Sequence, residues 1–270
     1  MMRRVSVRLY LAPDFQTSMT NMSSRGAATL SFDEAWDRWR GDLVDQNRNR
    51  DVERVDFGRT VGYLKRFHGI QLKNHLRLRW QQPRCHSQAA REVAIMHALC
   101  NAGFHPPRVL AWGQELAGNR ELRSLLLTES FDGRPLSDHG PEAVVAHLPD
   151  VAEELGRSVA AGLFLPDLGL DHVFVLSNGN YGLLDFHNAR RTKRASAREL
   201  GRALVRFFTS PGSDAIQEHR EDFAARYLAA AGRPAAQRAT LRLFASRLGP
   251  VDAPSSPSIA NATRMREDSE

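Results

Sequence analysis

The sequence predicts an α+β fold with two sub-regions and a cleft between them. Strand-like segments dominate the first half, helical segments dominate the second half, and one Asn-Gly hairpin signal interrupts the helical part. With 270 residues, of which 42% are hydrophobic, the chain is long enough for one large domain or for two small lobes.

Residues 1–30 are polar and irregular, and they are expected to form a flexible N-terminal arm. The next part, residues 31–132, is predicted to be a first lobe that combines an antiparallel sheet with a helix. Its strand-like segments are 42–44, 52–57, 60–67, 108–116 and 123–130, and its helical segments are 31–40 and 87–102.

Residues 133–248 are predicted to form a second lobe that is mainly helical, with helices at 141–164 and between about 195 and 248. Between them, the apolar runs 172–176 and 181–186 are joined by Ser-Asn-Gly-Asn, which is a strong hairpin signal. Residues 249–270 are rich in Pro, Ser and charge and are predicted to be a disordered tail.

Composition argues against several classes of protein. No run of about 18 or more apolar residues occurs, so no membrane-spanning helix is expected. Arg8 interrupts the apolar N-terminal stretch, so no secretory signal is expected. The two cysteines, Cys85 and Cys100, are too few for a disulfide scaffold, and reduced thiols in a cytoplasmic protein are expected.

The charge distribution indicates a partner with negative charge. The formal net charge is +6, the stretch 57–91 contains basic but no acidic side chains, and a second basic run lies at 190–198. Such a field attracts phosphates or anionic lipid. No nucleic-acid-binding module is recognisable, so nucleic acid is not the expected partner. For most of these residues an ordinary solvated, arginine-rich surface is the alternative interpretation.

A lysine and a glutamate are the first candidates for chemistry. Strand alternation places Tyr63, Lys65 and Phe67 on one face, and a buried ammonium there requires a partner. Glu92 borders the apolar stripe of the helix at 87–102 and could supply that partner. A strand Lys with a helix Glu is the ion pair that kinases use to hold ATP phosphates, although each residue alone could also be an ordinary surface charge.

Two aspartates are the sharper candidates. Asp167 lies in a loop, His172 is a potential ligand five residues later, and Asp185 ends the apolar second strand of the predicted hairpin. In a kinase, an aspartate in such a loop accepts the proton of the attacking hydroxyl, and the later aspartate holds Mg²⁺ against the nucleotide phosphates. The layout therefore predicts a kinase active site.

These motifs also carry a resemblance to a family. The strings YLKRF, AREVAIMHALCNAGFHPPRVLAWGQE, SLLLTESFDGRPLSDH, PDLGLDHVFV and GLLDFHNARR, within residues 58–203, resemble the lipopolysaccharide core sugar kinases of the Kdo/WaaP family. The resemblance implies a protein-kinase-like bilobal fold and transfer of a phosphoryl group from ATP, with Mg²⁺ or Mn²⁺, to a hydroxyl of an inner-core sugar, Kdo or heptose. It also implies an anionic sugar or glycolipid as the acceptor, and peripheral contact of the protein with the inner membrane surface.

By the same resemblance, Lys65 contacts the phosphates, Glu92 orients Lys65, and Asp167 is the catalytic base. Asp185 is the metal ligand, with His172 as a second candidate. Glu129 marks the hinge whose backbone meets adenine, beside Tyr63 on the face of Lys65.

Three departures from protein kinases leave alternatives open. His172 replaces the usual Asn, no G-x-G-x-x-G precedes Lys65, and Tyr63 stands where a small residue would leave room for adenine. The alternatives are a catalytically inactive kinase-like scaffold and a small-molecule kinase with another acceptor.

Overall fold

The computed structural model describes residues 5–22, 30–58, 60–69, 85–192 and 195–249. Within these ranges, an N-terminal region is built on a large antiparallel sheet and a C-terminal region is mainly helical, so the α+β prediction is confirmed. None of the helices in these ranges combines the length and the apolar character that crossing a bilayer requires.

The large sheet has six strands in the order β1-β5-β6-β4-β3-β2, and all neighbouring strands are antiparallel. The strands are β1 (Val5–Leu11), β2 (Asp42–Asn47), β3 (Arg50–Asp56), β4 (Val61–Phe67), β5 (Val109–Ala117) and β6 (Arg120–Glu129). Because side chains alternate across a strand, Lys65 and Arg66 of β4 leave the sheet on opposite faces.

Helices cover both faces of this sheet. Helix α3 (Gln88–Asn101), capped by Ser87, packs on the inner face, where it shares a core with the C-terminal region. Helices α1 (Pro13–Met22) and α2 (Phe32–Arg38) lie on the outer face, around a second apolar cluster. The predicted helices at 31–40 and 87–102 are thereby confirmed, with shorter bounds.

The expected flexible arm at residues 1–30 is wrong for residues 5–22. Strand β1 pairs with β5 along its whole length, and Tyr10 stacks on Trp112 with ring centroids 4.3 Å apart. After it, Phe15 of α1 is buried in the outer cluster. The alternation of apolar residues in Val5–Leu11 is a sequence pattern typical of a strand, and pairing with the distant β5 stabilises that strand.

The C-terminal region contains short strands and four α-helices among its described residues. The strands are β7 (Gly133–Pro135), β8 (Leu163–Phe164), β9 (Val173–Leu176), β10 (Tyr181–Leu183) and β11 (Arg190–Arg191). The α-helices are α4 (Pro141–Ala160), α5 (Ala197–Phe207), α6 (Arg220–Ala230) and α7 (Gln237–Arg247), and short 3-10 helices occupy Leu136–Asp138, Leu170–His172, Ser213–His219 and Pro234–Ala236.

The predicted hairpin is confirmed, because β9 and β10 pair antiparallel around Gly179, whose φ is 81°. Helix α4 ends at Ala160, earlier than predicted, and the chain turns through Gly162 into β8. The predicted tail lies outside the described residues except for Gly249.

The two regions are joined close to this hairpin. The carbonyl of His105, in the segment that follows α3, accepts the N–H of Leu183 in β10 at 3.1 Å. The inner core continues from α3 and the sheet into the C-terminal helices. The hairpin end is therefore held beneath α3, where the predicted lysine, glutamate and aspartates can meet.

Candidate active site

A buried ion pair joins the sheet to α3. Nζ of Lys65 lies 2.9 Å from Oε2 of Glu92, and the two side chains are 13% and 1% exposed. Oε1 of Glu92 is buried and has no hydrogen-bond partner within the described residues. Since further polar partners are needed to offset the desolvation of a buried ion pair, the arrangement favours completion by a ligand.

Asp185 follows β10 in a conformation that few residues adopt. Its φ is 60°, in the left-handed region, which Asp tolerates better than most residues do. The next residue, Phe186, is fully buried and anchors the segment. Oδ1 of Asp185 accepts a hydrogen bond from Nδ1 of His187 at 2.7 Å and lies 4.0 Å from Arg50. Strained backbone of this kind is concentrated at functional sites.

Electrostatic interactions keep Asp185 ionised. Burial alone would raise its pKa, but the hydrogen bond from His187 and the positive charges of Lys65 and His172 outweigh burial, so the pKa lies well below its ordinary value of 3.8. The hydrogen bond to Asp185 also raises the pKa of His187, against the opposing effect of burial. Asp185 is therefore an anion at neutral pH and can bind a cation.

Asp167 faces the same cleft. Its Oδ2 accepts a hydrogen bond from Nδ2 of Asn188 at 2.5 Å and lies 3.7 Å from Nε2 of His187. Because Nδ1 of His187 contacts Asp185, one imidazole spans the two carboxylates. The two aspartates therefore belong to one side-chain network.

Three contacts hold this network in place. Strand β8, just before Asp167, pairs with β11, just after Asn188. Oγ of Ser210 accepts the N–H of Leu170 at 3.0 Å, which fixes the loop that carries Asp167. The buried guanidinium of Arg91 on α3 donates to the carbonyl of Ala189 at 3.0 Å and ties the helix of Glu92 to the Asp185 segment.

His172 lies between the two aspartates. Its Nδ1 is 3.1 Å from the carbonyl oxygen of Asp167, and since a carbonyl only accepts, Nδ1 carries a proton. Its Nε2 is 3.5 Å from Oδ2 of Asp171 and 4.0 Å from Oδ2 of Asp185. Nε2 is therefore turned to the same side of the cleft as the carboxylate of Asp185.

The carboxylates of the cleft fit Mg²⁺ bound together with a nucleotide. Mg²⁺ is usually held by one or two carboxylates plus substrate phosphates and water, without an all-protein cage. Asp185 offers ionised oxygens to the cleft. No group of three or more His, Cys, Asp and Glu side chains in the described ranges could hold an ion by itself.

Tyr63 and Glu129 lie at the outer end of the cleft face. Tyr63 is cross-strand to Thr128 and two residues before Lys65. The carboxylate of Glu129 pairs with Arg108 at 2.8 Å, and its N–H donates to the Arg108 carbonyl at 2.9 Å. An adenine contact at the end of β6 would therefore use the carbonyl of Glu129 or the backbone groups of neighbouring residues, because the N–H of Glu129 is already engaged.

The structure brings together Lys65, Glu92, Asp167, Asp185 and His172, and it places Tyr63 and Glu129 at the margin. Sequence reasoning missed the roles of His187, Asn188 and Arg50. The polar pair His187-Asn188 directly after Asp-Phe was an available signal. No sequence pattern indicated a role for Arg50, because only the folded hairpin shows where its guanidinium points.

The chain is similar to a known family in sequence and to a solved structure in fold. The model of the lipopolysaccharide kinase (Kdo/WaaP) family matches residues 34–227. No curated protein matches the sequence at a significant level.

Among solved structures, WaaP in complex with acyl carrier protein is similar at a TM-score of 0.62 and 18% identity, covering 89% of this chain and 95% of that chain. WbdD bound to the kinase inhibitor LY294002 is more distant, with a TM-score of 0.40 and 21% identity over 70% of this chain and 45% of that chain.

The likeness to WaaP confirms the predicted bilobal, protein-kinase-like fold. The family match covers most of the chain and includes every element that carries the cleft residues. The chain is a kinase that belongs to the lipopolysaccharide kinase (Kdo/WaaP) family.

Proposed function

We propose that this sugar kinase transfers the γ-phosphoryl group of ATP to a hydroxyl of an inner-core lipopolysaccharide sugar, either Kdo or heptose. The observation that carries the proposal is the single network in the cleft. The ion pair of Lys65 and Glu92 faces Asp167 and Asp185, which His187 links.

Each residue has a role that its contacts support. Lys65, oriented by Glu92, binds the nucleotide phosphates. The acceptor oxygen attacks the γ-phosphorus, the bond from that phosphorus to the β,γ-bridging oxygen breaks, and ADP leaves with the bond electrons. Asp167, oriented by Asn188, accepts the proton of the acceptor hydroxyl.

Asp185 is the proposed ligand for Mg²⁺ or Mn²⁺, and His172 is a second candidate through Nε2. A bound divalent cation would neutralise charge on the phosphate oxygens. Tyr63 and the backbone near Glu129 are the proposed adenine contacts, because they lie on the face of Lys65 and at the end of β6.

A polar cavity of about 1210 Å³ next to Asp171 suits a polar acceptor such as a sugar, and its lining combines the acidic Asp214 and Glu218 with basic side chains. Exposed Arg206 and Arg247 line it, and Asp171 connects it to His172 at 3.5 Å. In the basic run at 190–198, by contrast, Arg190 is already engaged by Glu199. Contact with the inner membrane surface and a cytoplasmic location remain predictions.

Phosphate transfer from labelled ATP to deacylated core oligosaccharide, with Mg²⁺ or Mn²⁺, tests the proposal. We expect transfer by the wild type and a loss of at least about 100-fold in Asp167→Asn, because the amide cannot accept the proton. Asp222→Asn, an exposed position on α6, is the matched control and should retain activity.

The two alternatives predict different results. An inactive scaffold transfers no phosphate to any acceptor, although it could still bind ATP. A small-molecule kinase hydrolyses or transfers phosphate with another acceptor and leaves the oligosaccharide unlabelled. Labelling that persists in Asp167→Asn would show that another residue acts as the base.

A further inference from the structure

The hairpin of β2 and β3 lies over the cleft, where protein kinases have a glycine-rich loop. Its turn contains no glycine. Oδ1 of Asn47 accepts the N–H of Asn49 at 3.0 Å, and the carbonyl of Asn49 accepts the N–H of His68 at 2.9 Å. These bonds fix the turn, so a side chain is better placed than a flexible backbone to reach a ligand below it.

Arg50, the first residue of β3, is that side chain. It pairs with Phe67 in the β3–β4 register, two residues from Lys65 and on the same face. One guanidinium nitrogen lies 2.5 Å from Oδ2 of Asp45, and another lies 4.0 Å from Oδ1 of Asp185. The guanidinium therefore extends from the hairpin to the candidate metal ligand.

One nitrogen of this guanidinium donates no hydrogen bond to the described part of the protein. Nε of Arg50 is buried and has no hydrogen-bond partner in the parts of the chain that the structure describes. A buried donor without a partner costs stability unless a ligand satisfies it. Oδ2 of Asp45 accepts a hydrogen bond from Nη2 at the other end of the guanidinium, which limits the rotation of the Arg50 side chain.

A protein cation besides Lys65 and the proposed Mg²⁺ would improve the charge balance of the cleft. Lys65 is paired with Glu92 at 2.9 Å, so its positive charge is largely offset, and the carboxylate of Asp185 lies in the same cleft. A triphosphate brings several further negative charges. A guanidinium can bind phosphate oxygens in a bidentate manner, with hydrogen bonds strengthened by charge.

We propose that Arg50 binds the phosphates of the nucleotide and thereby replaces the backbone contacts of a glycine-rich loop. This inference rests on the proposed function, in which ATP is bound in this cleft. Asp45 is a positioning residue, because it contacts Arg50 and orients the guanidinium.

Binding of Mg·ATP and of adenosine, measured by calorimetry on the full chain, tests the role of Arg50. We expect Arg50→Ala to weaken Mg·ATP binding by about 10- to 100-fold and to leave adenosine binding unchanged, since adenosine has no phosphates. Arg50→Lys should recover part of the loss, and Asp45→Ala should cause a smaller one. Arg120→Ala, an exposed arginine at the start of β6, is the control.

The outcomes separate this inference from the proposed function. Equal ATP affinity in Arg50→Ala and the wild type, or equal losses for ATP and adenosine, would overturn the role of Arg50. Wild type that binds ATP in an Arg50-dependent way without labelling the oligosaccharide would overturn only the proposed acceptor. Wild type that binds no ATP would overturn both.

Discussion

Two neighbouring residues of β4 place positive charges on opposite faces of one sheet, and their surroundings differ. On the outer face, Arg66 is 2% exposed and is fully engaged. Its guanidinium contacts the carboxylate of Glu53 and donates to the backbone carbonyls of Trp36 and Trp39 at the end of α2. Arg66 thus ties the outer helix to the sheet.

On the cleft face, Lys65 and Glu92 form a pair that is buried but incomplete, with Oε1 of Glu92 unpaired among the described residues. Protein groups satisfy the hydrogen-bonding capacity of Arg66, which stabilises the fold. A bound nucleotide would supply the missing partners of the Lys65–Glu92 pair in the cleft. Whether the hydrogen-bonding capacity of a buried charge is satisfied therefore separates a structural role from a functional one better than burial does.

The largest effect on stability is expected from Arg66→Met. The substitution leaves the half-buried carboxylate of Glu53 without its cation and two backbone carbonyls without their donor, so the free energy of unfolding should fall by about 3–5 kcal/mol. Urea denaturation measures the change, and Arg54→Met, an exposed position on β3, is the control. A loss below about 1 kcal/mol would contradict the structural role of Arg66.

The double variant Lys65→Met/Glu92→Leu tests the role of the ion pair on the cleft face. Replacing both members of a buried pair with apolar residues is often neutral or stabilising, so the unfolding free energy should not decrease. Phosphate transfer should fall by at least about 10²–10³-fold, because a phosphate-binding charge is lost. Denaturation and transfer assays on the same preparation check both outcomes, and a large loss of stability would show that the pair is structural.

On the cleft face, Glu121 of β6 contributes to the hydrogen bonds that hold the N-terminal end of α3. Its buried carboxylate accepts the N–H of Gln88 and the hydroxyl of Ser124, which in turn accepts the N–H of Ala89. Burial raises the pKa of Glu121 to about 7, from an ordinary value of 4.5, against the effect of these hydrogen bonds.

Because the folded state binds this proton more tightly than the unfolded state, the free energy of unfolding should decrease as pH rises from about 4.5 to 7, by roughly 3 kcal/mol. Glu121→Gln should remove this dependence and be the more stable protein at pH 8. Denaturation at pH 5 and pH 8 measures the effect, and Glu142→Gln, exposed on α4, is the control. Parallel pH profiles for Glu121→Gln and the wild type would contradict the prediction.

Local patterns predicted much of the fold and several residues of the site. Alternation on β4 placed Lys65 on an apolar face, and the border position of Glu92 on its helix indicated a partner. Asp167, His172 and Asp185 were identified by spacing around a hairpin that has its own turn signal. The prediction of a flexible N-terminal arm was wrong because β1 is followed by polar residues and pairs with a strand that lies about a hundred residues later in the chain.

The sequence by itself determined the α+β pattern, the hairpin, the candidate charges and the family resemblance, because each depends on spacing within short segments. Only the tertiary structure decided that His187 links Asp167 to Asp185, that Arg50 reaches Asp185 from the hairpin, and that Arg66 ties α2 to the sheet. Those contacts join segments far apart in the chain, and their distances follow from how the sheet, the helices and the loops pack together.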